Sequence, residues 1–371
     1  MIVIIRSNSI IGDPRVEKYI NYIKTQQKDF RIIGWNRTGD KIIANNTIYY
    51  KRQVGYNVGG AKAAINRIRW FLFVIRTLFQ LKDVKIIHGC DLDCAFPAVL
   101  YKILGHWNTK IIFDIFDWYS ATLSGQAKWI KSSFRIMEWI TTKFSNHLII
   151  CEEERIRQIP YDIVNKYSVL SNIPSFDDDS FLKINESPYF HNNKYTLTYV
   201  GGLYNERFLE ELLDCAEQGY FNLLIAGYGD IALEKRCKQL NRLDNVIYFG
   251  KVQYKDGLNI MYNADIIYAM YCISNPNHIY AAPNKLYEAM FLSKPIISTK
   301  GTIVGEKIDK LNIGYSIEEK SENLIQLINN ITKEDIKKLG QNSYALWENT
   351  YKNSVELYMN NTYKNLISEN T

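Results

Sequence analysis

Residues 283–297 read PNKLYEAMFLSKPII, and the rest of the chain is organised around them. Pro283 suits the first turn of a helix, where its missing N–H has no helical partner. Leu286, Tyr287, Met290 and Phe291 recur at helical spacing. Ser293, Lys294 and Pro295 end that helix, and Ile296 and Ile297 start a buried strand. The pattern places Glu288 in the second helical turn, facing the end of a sheet. A carboxylate there accepts both hydroxyls of a vicinal diol. Lys285, three residues earlier on the same face, reaches a phosphate held near the helix N-terminus. The plainer alternative is a helix after a loop, with Glu288 merely solvated.

Outward from this stretch, strand and helix patterns alternate. Upstream, YTLTYV (Tyr195–Val200) runs into Gly201, Gly202 and the helical NERFLEELLDCAEQ, and NLLIAG runs into YGD and another helix. NVIYFG, DIIYAM and KPIIST are three more strands. The first half shows the same rhythm. IVII (Ile2–Ile5) is a continuous apolar run, the mark of a strand covered on both faces. Asp13 is placed as an N-cap and Pro14 at the first helical position, ahead of Val16, Tyr19, Ile20 and Ile23 on one face. RIIGW, VKIIH, KIIFDI, HLIIC and YSVL follow as strands. Two such runs predict an α/β protein of two doubly wound, Rossmann-like domains facing each other across a cleft, with ligands at the carboxyl ends of the strands. The expected boundaries are 1–172, a polar linker over 173–193, a second domain over 194–343, and a C-terminal helical segment, 344–371, packing back on the first domain.

Composition agrees with this. The 371 residues suffice for two domains, and 47% hydrophobic with 23% charged content is globular. The six cysteines show no metal or redox spacing, which suggests reduced thiols and a cytoplasmic protein. No secretory leader is expected, because Met1–Ile5 is short and polar residues follow at once. No apolar run approaches the ~20 residues of a membrane span. A net charge of +6 does not argue for nucleic acid.

Two basic, aromatic-rich helices are expected in the first domain. In residues 59–82, Ile65, Ile68, Leu72, Ile75 and Phe79 form the expected core stripe, with Trp70, Phe71 and Phe73 off it. Lys62, Arg69 and Arg76 fall near one line, and no acidic residue lies between Lys62 and Lys82. In the second helix, Lys128, Lys131 and Arg135 share a face near Trp129, Phe134 and Trp139. The reading is that helices 62–82 and 126–144 touch the inner face of a membrane. The alternative is ordinary amphipathic helices whose arginine stems cover apolar neighbours.

Taken together, DPRVEKY, HGCDLDCAFPAVL, IIFDIFDWY, YVGGLYNERFLEELL, LLIAGYGD, NVIYFGKV, YNADIIYAM and PNKLYEAMFLSKPII resemble, in order and spacing, the retaining GT-B nucleotide-sugar glycosyltransferases of family 4, in the polysaccharide-assembly variant. The resemblance spans nearly the whole chain. It implies an enzyme, and the basic aromatic helices of the first domain suggest work at the inner membrane face, with the protein cytoplasmic and peripheral there. Such an enzyme moves a sugar from a UDP- or GDP-linked donor to a surface polysaccharide or polyprenyl-linked glycan, with no cofactor and no metal. Glu288 matches the carboxylate on the donor ribose. Of the basic pair that grips the diphosphate only Arg207 remains, since the first position is Gly202. The sugar-contacting Glu, eight residues before Glu288, is Tyr280 here. Gly12, Gly201, Gly202, Gly227, Tyr228, His278, Tyr280, Asn284 and Leu286 complete the expected donor set, and Lys285 joins Arg207 on the phosphates.

Cleaving a sugar–diphosphate bond needs charge stabilisation on the leaving group, which cations and helix N-termini supply. The retaining route lets the diphosphate take the acceptor's proton. If a protein base acts, Asp117 or Asp114 is the candidate, with a turn or cap role as the alternative for Asp117. His88 is expected as a strand-end residue, hydrogen-bonded and buried. Asp91-Leu92-Asp93 has the spacing of a metal-binding pair, but Asp93 also fits a helix N-cap. Two other functions stay open: a nucleotide-sugar epimerase on the same fold, and a non-catalytic nucleotide-binding partner in glycan assembly.

Overall fold

The computed structural model describes residues 1–8, 13–37, 39, 46–54, 60–123, 127–163, 166–174, 176 and 189–368. Gly12 and most of the expected linker lie outside the described residues. The chain forms two compact units. Unit 1 is Met1–Ser171 with Val355–Thr371, and unit 2 is Asn172–Ser354.

Among the described residues, unit 1 is built on seven parallel strands: β1 (Ile2–Arg6), β2 (Phe30–Trp35), β3 (Thr47–Tyr50), β4 (Ile86–Cys90), β5 (Lys110–Ile115), β6 (His147–Ile150) and β7 (Tyr167–Val169). Their order is β3-β2-β1-β4-β5-β6-β7. The helices are α1 (Pro14–Thr25), α2 (Gly60–Gln80), α3 (Leu92–Ile103) and α4 (Lys128–Phe144). The Asp13 side chain accepts the Val16 N–H, Pro14 opens α1, and the helix buries Val16, Tyr19, Ile20 and Ile23 as their spacing predicts. The sequence pattern missed β3, an edge strand, because its TIYY residues are only half-buried and make no continuous apolar run.

The expected core stripe of α2 is inverted. Trp70, Val74 and Leu78 are its buried apolar residues, packed with Trp35 and Val99. Ile68 and Leu72 are 57% and 62% exposed, and Ile65 and Phe79 also face out. Both stripes have the period of a helix, so spacing cannot choose between them. Trp70 decides: its ring stacks on Trp35 at 5.4 Å and its Nε1 donates to the Asp93 carbonyl at 2.9 Å.

Unit 2 repeats the plan with β8 (Thr196–Val200), β9 (Asn222–Ala226), β10 (Val246–Tyr248), β11 (Ile266–Tyr268), β12 (Ile296–Thr299) and β13 (Gly314–Ile317), all parallel, in the order β10-β9-β8-β11-β12-β13. Here too the half-buried edge strand, β13, escaped the sequence pattern. Its helices are α5 (Leu209–Glu217), α6 (Ile231–Leu240), α7 (Tyr254–Tyr262), α8 (Pro276–Ile279), α9 (Asn284–Phe291), α10 (Ile303–Leu311), α11 (Ser321–Asn330) and α12 (Lys333–Leu346). The C-terminal segment divides differently from the expected 344–371. Residues up to Ser354 stay with unit 2, where Trp347 meets Phe291 and Phe176 and Tyr351 meets Tyr287. From Val355 the chain belongs to unit 1. There the Tyr363 hydroxyl lies 3.0 Å from His88 Nδ1, and the Tyr358 hydroxyl lies 2.7 Å from Ser168 Oγ.

Asp114, in β5, is fully buried. Arg15 grips it through Nη2 at 2.8 Å and Nε at 2.9 Å, and the Tyr19 hydroxyl donates to it at 2.8 Å. Burial alone would raise this carboxyl, but the Arg15 guanidinium and the hydrogen bonds outweigh it and hold Asp114 well below the usual range. It is a structural anion, and the expectation that it could act as a base is withdrawn. Replacing Asp114 with Ala leaves the buried Arg15 without its carboxylate. The expected cost is about 3–5 kcal/mol, read from the denaturant midpoint. A second effect follows from His147, whose ring is pushed down to about 4 by burial and by Lys110, His88 and Lys166 nearby. The folded state then refuses a proton that the unfolded state takes below its ordinary 6.5. Stability is full above that pH and falls as pH drops toward 4. A melting-temperature series from pH 7 to 4 should show this slope and lose part of it in His147→Gln, whose side chain does not titrate.

Candidate functional site

Several residues expected to hold the donor lie just past the carboxyl ends of the unit 2 strands. Two loops leave this edge side by side, after β8 and after β9. Gly201 N donates to the Ala226 carbonyl at 3.0 Å, Leu203 N to Tyr228 at 3.0 Å, and Asp230 N to Leu203 at 2.7 Å. This pairing requires glycine at Gly227, which has φ +149° and whose added Cβ would lie 1.8 Å from the Gly201 carbonyl oxygen. Gly229 is held to the same standard by the Leu203 carbonyl, at 2.4 Å. Gly202 packs against the Tyr204 ring and accepts the Tyr199 hydroxyl through its carbonyl.

Arg207 closes the short turn Asn205–Arg207 that follows. Its guanidinium lies over the Tyr271 ring at 4.4 Å, and its Nη1 is buried with no hydrogen-bond partner. Tyr271 follows β11 and is anchored by its own N–H on Thr299 Oγ1 at 2.8 Å. Its phenol is pushed up to about 12, by burial first, with Arg207 pulling it down and Glu288 pushing it up. Tyr271 therefore stands within the fields of both Arg207 and Glu288.

α9 begins at Asn284, with Pro283 as an extended N-cap, one residue later than the sequence suggests. Leu286, Tyr287 and Met290 face the core. Leu286 is therefore apolar support, and only its main chain is available to a ligand. Glu288 is 1% exposed, so the solvated alternative fails. Lys285 Nζ donates to Glu288 Oε2 at 2.6 Å, and the Tyr254 phenol is pushed up by burial first and then by the nearby Glu288 carboxylate. Lys285 is thus engaged as an ion-pair partner, not waiting on a phosphate as the spacing implied. Asn284, half-buried, opens the same helix.

His278, in α8, lies 3.9 Å from a Glu206 carboxylate oxygen, with its ring 6.0 Å from Tyr271. That brings it to the Arg207 side of the cluster. Tyr280 follows α8 and is half-buried. Tyr228 is exposed at the end of the β9 loop, with Lys251 Nζ 4.8 Å from its ring centre. Tyr271, Tyr254 and Lys251 were missed. Tyr271 lies one residue past the quoted strand segment DIIYAM, where an aromatic residue just past the strand end was the available signal. Tyr254 and Lys251 reach the site from a distant stretch that spacing does not connect.

In unit 1, Asp117 is exposed, and Arg155 Nη2 lies 3.4 Å from its carboxylate. His88 is fully buried. Asp91 is paired to Arg6, which also holds Asp13 at 2.8 Å, and its other oxygen accepts the Phe116 N–H at 3.1 Å. Asp93 is buried and is not the N-cap of α3; Asp91 is. The Asp91–Asp93 spacing therefore presents no outward pair of carboxylates. Among the described residues, His88, Cys90 and Asp114 bring potential metal-ligand atoms within 4.8 Å of one another. Arg15 already neutralises that aspartate, so a dication there would face a guanidinium.

Residues 181–346 match the family model described as glycosyl transferases group 1. Among solved structures, sucrose-phosphate synthase from Thermosynechococcus elongatus superposes with a TM-score of 0.68 at 14% identity, covering 98% of each chain. The Anabaena protein HepE, in complex with UDP and glucose, gives 0.68 at 12% identity, covering 98% of this chain and 99% of that one. The lipopolysaccharide outer core galactosyltransferase WaaB, in apo form, gives 0.64 at 14% identity over 96% and 98%. A search of curated proteins found no match. The fold is GT-B, with two Rossmann-like domains, and the second unit carries a glycosyltransferase domain.

Proposed function

We propose that this protein is a retaining, metal-independent glycosyltransferase that uses a UDP- or GDP-linked sugar and glycosylates a surface polysaccharide or lipid-linked glycan. The observation that carries this reading is a buried carboxylate on α9, Glu288, together with a cation seated over the Tyr271 ring, Arg207, whose Nη1 lacks a hydrogen-bond partner. A ribose supplies two hydroxyls to Glu288. A diphosphate supplies oxygens to Arg207 and to the N–H groups opening α9. Ribose hydroxyls on Glu288 would compete with Lys285 Nζ, which then turns toward the phosphates. Tyr228, with Lys251 over it, suits the flat face of a base, and His278 and Tyr280 suit the sugar.

In the reaction, the bond from the anomeric carbon to the diphosphate oxygen breaks and a bond to the acceptor oxygen forms on the same face. The acceptor's proton passes to the departing diphosphate. Arg207 and Lys285 stabilise the charge that develops there. Of the two carboxylates expected as a base, Asp114 is held by Arg15, and the exposed Asp117 is the one proposed. The UDP and glucose bound in HepE support the donor class, and the lipopolysaccharide role in WaaB's description supports the acceptor class. A lipid-linked acceptor places the work at the inner face of a membrane, with the protein peripheral.

Arg207→Ala is expected to lower turnover about 10²- to 10³-fold with an unchanged melting temperature, because it removes a transition-state contact from a half-buried position. Glu288→Gln keeps the shape but loses the charged acceptor. It should weaken nucleotide binding about tenfold to a hundredfold, measured by the thermal shift with UDP or GDP and their sugars. Full activity in either variant would falsify the site. Epimerisation of donor alone, followed by NMR, would favour the epimerase. Nucleotide binding without donor turnover would favour a non-catalytic partner.

A further inference from the structure

Most of the α2 stripe that the sequence assigned to the core is open to solvent. Ile65, Ile68, Leu72 and Phe79 run along the outside of α2. Trp129, Ile136 and Trp139 run along the outside of α4, Trp129 being 72% exposed. Between the two helices lies α3, followed by the exposed Leu104 and Trp107. These nine are all but one of the exposed large apolar residues of unit 1 among the described residues, Leu357 being the other. They also include every described tryptophan that is exposed.

The three helices form one layer. Phe71 of α2 meets Phe96 of α3 at 5.7 Å, and Phe79 meets Tyr101 of α3 at 5.1 Å. Trp107 meets Phe144 of α4 at 6.3 Å. Arg67 of α2 lies over Phe134 of α4 at 5.2 Å and over Tyr119 at 4.6 Å. The exposed side chains therefore stand on a fixed surface.

The charges on this layer have one sign. Arg69 and Arg76 on α2 and Lys128, Arg135 and Lys143 on α4 are exposed. Lys143 Nζ lies 4.8 Å from the Trp139 ring centre. Among the described residues of α2, α3 and α4, acidic side chains are limited to Asp93 and Glu138, and both are buried. A second copy docking face to face through this surface would set cations against cations. Exposed tryptophans beside lysines and arginines, with no exposed acid, complement an anionic lipid interface. Among the described residues, no helix is long and apolar enough to cross a membrane, so the mode is lying on the surface.

We propose that the outer face of the α2–α3–α4 layer is a lipid-docking surface, which seats Ile68, Leu72, Trp129 and Trp139 at the headgroup boundary of an anionic bilayer. This deepens the acceptor side of the proposed function, but its evidence lies wholly in unit 1.

Flotation with phosphatidylcholine vesicles, with and without phosphatidylglycerol, tests it. The full chain should float with the anionic vesicles and far less with the neutral ones. The double variant Ile68→Glu, Leu72→Glu should cut that partition at least about tenfold, since it replaces two inserting groups with acids. Arg69→Gln and Arg76→Gln should each cut it about fivefold, the equivalent of ~1 kcal/mol per basic residue. All these positions are exposed, so the melting temperature and the UDP or GDP thermal shift should be unchanged. That second readout separates failure here from failure of the donor site. The proposal is overturned if the wild-type chain stays with the bottom fraction, if the variants float as it does, or if sedimentation shows a dimer that Ile68→Glu, Leu72→Glu splits without any lipid binding.

Discussion

A carboxylate taken out of water must find compensating charge, and in unit 2 that requirement falls on Glu288. Its position is set by the helix it occupies: Leu286, Tyr287 and Met290 drive α9 against the sheet and carry Glu288 inward with them. Lys285 lies one turn earlier and supplies the cation. The apolar side of the helix thus forces the polar side to organise. A ligand with hydroxyls to offer can enter this arrangement because Lys285 is part-exposed and can give up its place.

The two units handle charge in opposite ways. In unit 1, Arg15 and Tyr19 close around Asp114, and Arg6 ties Asp13 to Asp91. These charges lock strand ends to α1 and leave little for a substrate. In unit 2, Arg207 rests on an aromatic ring with a buried nitrogen lacking a hydrogen-bond partner. The first pattern is a fastening, and the second leaves a buried cationic donor unspent. The glycine pairing of the β8 and β9 loops matters for the same reason, because it allows two backbones to run close enough to hold Arg207 and Tyr228 on one edge.

The outward stripe of α2 carries a separate lesson about amphipathic helices. Apolar residues at helical spacing say that a helix has sides, and when both sides are apolar the spacing does not say which one is covered. The covered side here is the one that offers Trp70, whose ring fills the space against Trp35 and whose N–H finds a carbonyl. Surface exposure of the other side is what makes an association with lipid physically reasonable.

The alternation of elements, the parallel sheets, the cap at Asp13, and the helix that carries Lys285 and Glu288 are legible in the order of residues, because each is written in local spacing and backbone preference. The core side of α2, the commitment of Asp114 to Arg15, the ion pair between Lys285 and Glu288, and the meeting of Arg207 with Tyr271 were decided only by the tertiary structure. They depend on which distant residue arrives to fill a volume or neutralise a charge, and the order of residues along one segment holds no record of that.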